Sequence, residues 1–210
     1  MIWILAWIGI RILYEVLQKR FLTYGENMAS NHNMRIKGSK VMGWVQKNSK
    51  GVLPTFEIEG THRYYGAYDP HRNTLIFSRD VWHEEDPYRT WIVLHEWGHF
   101  LQHRDAPFLK TWVTIAHNSF VGIRVLCILF LFAHVFTGFD SFMWIGFGYG
   151  VMVFLSLLYV FLPEINANKR AIYLINDYGM LDEEERKRVK RLSHLHTIHY
   201  LVDCFRFGRV

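Results

Sequence analysis

Apolar and polar positions divide the chain into alternating blocks. Residues 1 to 18 are apolar from the first position onward, broken chiefly by Arg11 and Glu15. Those two stand at i,i+4 and can pair on a helix surface. With no basic leader and no small-residue cleavage site, the segment reads as an uncleaved helical anchor rather than a removed signal. Two more apolar blocks follow, "SFVGIRVLCILFLFAHVFTG" over 119–138 and "FMWIGFGYGVMVFLSLLYVFLP" over 142–163, the latter without a charge. Only Phe139, Asp140 and Ser141 separate them, which predicts a tight antiparallel helical hairpin. Apolar stretches of roughly 20 residues match the hydrocarbon thickness of a bilayer, so the pattern predicts about three membrane spans.

Between the anchor and the hairpin lies a polar region, 19–111. The spacing predicts a helix over Gly38 to Lys47, then strand, turn, strand in "EIEGTHRYYGAYDPHRNTLIFS". Asp69-Pro70 and Asn73 supply the turn, and Thr74 to Phe77 the β-rich run. Asp86 followed by Pro87 is a helix start, carboxylate as N-cap and proline at the first helical position. That helix should run to about His103. Beyond the hairpin, 164–210 reads as helix to about Arg191 with a break near Gly179, then an amphipathic helical C-terminus.

Composition fits a divided chain: half of the 210 residues are apolar, yet 20% are charged. The net charge of +5 comes with no aromatic–basic ladder and no nucleic-acid motif, so nucleic acid is not an expected partner. The basic residues flanking the expected spans, Lys19, Arg20, Lys110, Lys169 and Arg170, all fall on one side, which the positive-inside rule assigns to the cytoplasm. Cys127 and Cys204 are the only cysteines, and Cys127 lies in an apolar block, so no disulfide framework is expected.

The chemistry concentrates in His95-Glu96-Trp97-Gly98-His99, an H-E-x-x-H on the predicted helix. Residues i and i+4 stack one turn apart on one face, so both imidazoles reach a single Zn²⁺. Glu96 is placed beside them to take a proton from an attacking water rather than to bind. Twelve histidines raise the chance of an accidental match, against which the helix and its cap count. A catalytic zinc takes three protein ligands and leaves a fourth position open. His103 continues the series but lies about 12 Å along the helix from His95. Asp105 stands where some zincins place a third ligand, but those motifs turn the chain on a glycine where this one has Gln102. Glu164, the first charged residue after the last apolar block, is the candidate, because a hairpin that leaves and returns brings it back to the histidines. Asp105 remains the alternative.

Lesser features are weaker. His196, His199 and Asp203 share a helix face, which favours a surface or interface cluster over a second metal or catalytic-shell role. Thr74 to Phe77 reads equally as a plain strand or as an edge on which an extended peptide lies. Tyr64, Tyr65 and Tyr68 are candidate oxyanion donors that spacing does not rank.

The ordered set "YDPHRNTLIFSRDVWH", "HEWGHFLQHRD", an apolar hairpin and "LPEINANKRA" resembles the YugP-like neutral zinc metallopeptidases of bacterial membranes, over about residues 60 to 191. The resemblance implies His95, His99 and Glu164 as zinc ligands and Glu96 as catalytic base. It also implies a mainly α chain: a zincin-like catalytic minidomain, helices plus a small β-sheet, attached to a transmembrane helical bundle. Where the family reads E-F-D-A-S-R-R-A, this chain has Glu164-Ile165-Asn166-Ala167-Asn168-Lys169-Arg170-Ala171. If the family's acid orients a histidine, Asn166 weakens that support, by about 10–100-fold in metal affinity or activity. The C-terminus also departs, carrying histidines and charges where family members end in an apolar helix. The expectation is an integral-membrane zinc metallopeptidase of a bacterial inner membrane, its catalytic side cytoplasmic. Its cofactor would be Zn²⁺, and its partners a peptide or membrane-protein substrate and the lipid bilayer. Two rivals are a metal-binding scaffold without activity and a hydrolase of some non-peptide bond.

Overall fold

The computed structural model describes residues 2–30, 37–60, 66–137 and 142–204. Its centre is helix α4 (Pro87–Asp105), and the other elements are most simply placed by how they meet it. The start of α4 is set as the sequence predicts: Asp86 Oδ1 accepts from the Arg89 amide at 2.9 Å, and Pro87 follows the cap. Arg89, itself buried, pairs with Asp86 and with Glu84. Tyr88, Trp91, Val93, Leu94, Trp97 and Phe100 are buried on several sides of α4, so this helix has almost no solvent face and is the core of the molecule.

A three-stranded sheet lies against it. β1 (Thr55–Glu59), β2 (Gly66–Asp69) and β3 (Thr74–Ser78) are ordered β1-β3-β2, with β1 parallel and β2 antiparallel to β3. The β2–β3 turn is held by Asp69 Oδ1, which accepts from the amides of His71 and Arg72 at 2.8 and 3.2 Å. Asn73 takes the left-handed conformation at φ +50°, and the Tyr68 hydroxyl donates to its Oδ1 at 3.0 Å. The stretch Thr74 to Phe77, read from sequence as a possible edge, is the middle strand; β2 is an edge instead.

Helix α2 (Gly38–Lys47) buries Val41, Met42 and Val45, and the short α3 (Arg79–His83) is capped by Ser78 and leads into α4. Helix α7 (Leu162–Asp177) crosses α4 closely because small residues meet there: Gly98 lies under Ala167, and Ala171 is fully buried. Gly179, at φ +59°, breaks the chain where the sequence predicts. Helix α8 (Glu183–Asp203) then opens on a capping box between Asp182 and Glu185 and packs along α1 (Ile2–Ser30).

The transmembrane bundle is overturned. Among the described residues no helix is long and apolar enough to cross a membrane, so neither a three-span architecture nor a multi-pass placement in a bacterial inner membrane with a cytoplasmic catalytic side is supported. The expected anchor does not stop at residue 18. It continues as α1 to Ser30 through Lys19, Arg20 and Glu26, with Tyr14 and Met28 buried on the protein. The predicted hairpin does form, as α5 (Phe108–Thr137) packed on α6 (Phe142–Ser156). As a regular α-helix, α6 has 15 residues, about 22 Å at 1.5 Å per residue. It gives way to a π-helical turn, Leu157–Phe161, before α7 begins. That turn has a cause in Pro163, whose ring cannot follow a regular α-turn without meeting the carbonyl four residues earlier.

Candidate metal centre

His95 and His99 project one turn apart from α4, and Glu164 faces them from the first turn of α7. The two Nε2 atoms stand 3.2 Å apart. Glu164 Oε2 lies 3.1 Å from Nε2 of His95, and Oε1 lies 3.5 Å from Nε2 of His99. Ligand atoms about 2.0–2.1 Å from one tetrahedral zinc are separated from each other by roughly 3.3 Å, and all three separations lie near that value, with one carboxylate oxygen turned to each histidine. The donor chemistry agrees. Glu164 Oε2 is buried without a hydrogen-bond partner among the described residues, and two ring nitrogens confront each other across a gap that a cation would reconcile.

The electrostatics follow from burial and from this crowding. Burial pushes Glu164 upward, but His99 and His95 beside it outweigh that and hold it well below the ordinary carboxylate range. Burial lifts Glu96 above that range; His95 and His99 oppose the rise, and the charge of Glu164 adds to it. The backbone N–H of Tyr68 on β2 hydrogen-bonds the Glu96 carboxylate, and Glu96 Oε1 lies 4.0 Å from Nε2 of His95. A buried carboxylate held beside His95, His99 and Glu164, with a raised proton affinity, is suited to accept a proton.

For His99, burial disfavours the cation, but Glu164 facing it prevails and lifts the imidazole from 6.5 to about 9. In the metal-free chain that charge stabilises the fold fully below about pH 6.5, and the contribution is lost as pH rises through about 9. A zinc held by His99 would require the neutral ring, so its uptake at pH 7 should expel this proton and strengthen as pH rises toward 9. Calorimetric zinc titrations in two buffers of different ionisation heat read the release directly; equal heats in both would show that His99 was already neutral.

The remaining sequence candidates separate clearly. Asp105 is turned away: its Oδ2 pairs with Arg170 at 2.8 Å and its Oδ1 with Arg104 at 2.9 Å. His103 lines the same cavity as the histidine pair, its ring 5.6 Å from that of Tyr68. Tyr68 also lines it, whereas Tyr64 and Tyr65 lie outside the described residues. Sequence reading underrated His196, whose ring packs 4.8 Å from that of His95, with Nδ1 4.0 Å from Glu164 Oε2. His95, Glu164 and His196 bring ligand atoms within 4.8 Å of one another, a second possible set. It is the looser one, and Asn168 Nδ2 already donates to that Nδ1 at 3.3 Å. Burial, reinforced by His95, keeps His196 neutral by holding its pKa well below 6.5. A shared helix face was the only signal for it, and that does not reveal that α8 closes over the centre.

The cavity above these groups has a volume of about 420 Å³ and reaches from His95, His99 and Glu164 to Gly66, Ala67 and Tyr68 of β2. Its apolar wall is formed by Phe21, Tyr88, Trp91 and Ile92. Gly66 is required at this edge: a Cβ there would lie 2.6 Å from Ile92 Cγ2 and 3.1 Å from Glu96 Cγ.

No curated protein and no solved structure matches the chain. A family model described as "Putative neutral zinc metallopeptidase" matches residues 1–205, taking in every group of the centre as well as the helices that carry them. The chain belongs to this zinc metallopeptidase family.

Proposed function

We propose that the chain hydrolyses peptide bonds, with zinc held by His95, His99 and Glu164 and with Glu96 as general base. The observation that carries the reading is the convergence of two Nε2 atoms and the two oxygens of one carboxylate at separations of 3.1–3.5 Å, beside a second carboxylate, Glu96, that is not part of the set. When bound, zinc supplies Lewis-acid polarisation of the water and of the scissile carbonyl. Glu96 takes the proton from the attacking water and carries it toward the departing amine. Burial favours both halves of that task, since it raises the proton affinity of Glu96 and excludes competing solvent.

β2 gives the substrate its direction. Among the described residues it pairs with β3 on one side, and Gly66, Ala67 and Tyr68 border the cavity. An extended peptide adding to this edge would run past Glu96 with alternate side chains facing the apolar wall. A backbone-reading edge favours peptides over other carbonyl substrates.

The ligand assignment is tested by Glu164→Ala. The wild-type chain is expected to take up about one zinc and the variant to lose tight binding, because two imidazoles alone leave a three-ligand site incomplete. Metal analysis after dialysis reads the outcome, and zinc retained at wild-type affinity by the variant would refute the assignment.

A further inference from the structure

One amide touches both halves of the centre. Gln102 follows His99 by one turn on α4, is 5% exposed, and uses its oxygen and nitrogen in different directions. Its Oε1 lies 3.1 Å from Nδ1 of His99. Its Nε2 donates to the Pro163 carbonyl at 2.6 Å and to Asn166 Oδ1 at 3.1 Å, both on α7. Two acceptors claim that nitrogen, so turning the amide over would set oxygen against oxygen. Asn166 is fixed in its turn: Arg170 Nε donates to the same Oδ1 at 2.8 Å, and Arg170 Nη1 reaches Asp105 at 2.8 Å. With an oxygen facing it, His99 must carry its proton on Nδ1 to make the bond. In the neutral ring that zinc would bind, this leaves Nε2 bare, and Nε2 is the atom that faces His95 and Glu164.

We infer that Gln102 is the positioning residue of the metal centre. It sets the tautomer and ring direction of His99, and through Pro163 and Asn166 it ties that ring to the turn of α7 carrying Glu164. This rests on the reading of His95, His99 and Glu164 as the zinc ligands. A ligating histidine ordinarily gives its second N–H to an outer acceptor, and losing such a partner weakens metal binding by about 10–100-fold. His99 has that partner. His95 does not: its Nδ1 is buried without a hydrogen-bond partner among the described residues, and its ring is held by packing between Trp91 and His196 at 5.1 and 4.8 Å. Among the described residues, side-chain hydrogen bonding to the two histidine rings' outer nitrogens is therefore concentrated in Gln102.

The same contacts give Asn166 a role. It orients no histidine itself; it presents an oxygen to Gln102, which a carboxylate would do equally well. Asn166→Asp should therefore preserve the arrangement, whereas Asn166→Leu should release it.

The experiment measures zinc affinity by competition with a chromophoric chelator, together with ¹⁵N NMR of the histidine rings in the zinc-loaded full-length chain. Gln102→Leu is expected to weaken zinc binding by about 10–100-fold, to shift the Nδ1–H resonance of His99 and to speed its exchange with water, leaving the His95 Nδ1–H resonance in place. Asn166→Asp should match wild type in both readouts, and Asn166→Leu should move both in the direction of Gln102→Leu. If Gln102→Leu fails to fold, the two Asn166 variants decide, since they act on the same amide from the other helix. A folded Gln102→Leu with wild-type affinity and an unchanged His99 ring overturns the inference, as does an Asn166→Leu indistinguishable from Asn166→Asp. A wild-type chain that takes up no zinc would bring down the metal reading and this inference together. Zinc uptake by wild type with no effect of the Gln102 and Asn166 variants would bring down this one alone.

Discussion

Glu96→Gln is expected to leave zinc content unchanged and to remove nearly all peptidase turnover. The substitution keeps size and shape in a nearly closed position, where Glu96 is 9% exposed, and the amide oxygen can still accept from the Tyr68 backbone. What disappears is the capacity to take a proton. General-base assistance contributes typically about 10²–10⁴-fold, so a loss on that scale in kcat with intact metal is the predicted signature. Zinc content by elemental analysis and cleavage of a mixed peptide library by the same preparations provide the comparison. Turnover that persists in the variant would mean that another group accepts the proton. A family member lacking activity altogether would show no turnover in the wild type either, and the scaffold reading would then be preferred.

Gly98→Ala is expected to lower both the melting temperature and the affinity for zinc. In an open helix this change would help by about 1 kcal/mol through helix propensity. At Gly98 a Cβ would stand 2.9 Å from the Ala167 carbonyl oxygen and 3.1 Å from its Cα. Both are backbone atoms of α7, so no side chain can swing aside and the two helices must separate. Overpacking of this kind costs typically about 1–3 kcal/mol, which exceeds the propensity gain. The separation falls between His99 on one helix and Glu164 on the other, and zinc affinity should fall with it. Gly43→Ala in α2 is the control, since a Cβ there meets nothing within 4 Å. It should raise the melting temperature slightly and leave zinc alone. Equal behaviour of the two variants would show that the α4–α7 contact does not govern the centre.

Local signals carried much of this arrangement. The Asp86-Pro87 cap, the Asp69 turn and the i,i+4 histidines are short-range features whose chemistry is complete within a few residues. Glu164 was placed by reasoning about crossings and returns, and the helices do return it to His95 and His99, although among the described residues no helix is long and apolar enough to cross a membrane. A helical hairpin reverses the chain in either setting, so that inference did not depend on the solvent around it. Hydropathy, by contrast, reports only that a segment avoids water. It did not distinguish a span from α1, whose Tyr14 and Met28 are covered by the protein itself. Gln102 and His196 were out of reach for a different reason: each acquires its role from a helix distant in sequence. Gln102 entered the sequence reading only as the absence of a glycine, and its contacts with Pro163 and Asn166 exist only once α4 and α7 have met.

The π-helical turn at Leu157–Phe161 has a consequence for how the centre tolerates change in chain length. A π-turn holds one residue more than the α-turn it replaces. Each residue advances a regular helix by about 100°, so this surplus sets the phase between α6, seated on α5, and α7, seated on α4. Glu164 lies just three residues beyond it. The turn thus works as a vernier: it lets one nearly continuous rod satisfy two neighbours whose grooves are out of step. Residue number between Ser156 and Glu164 is consequently as much a part of the carboxylate's address as its chemical identity, even though no side chain in the turn need touch the metal.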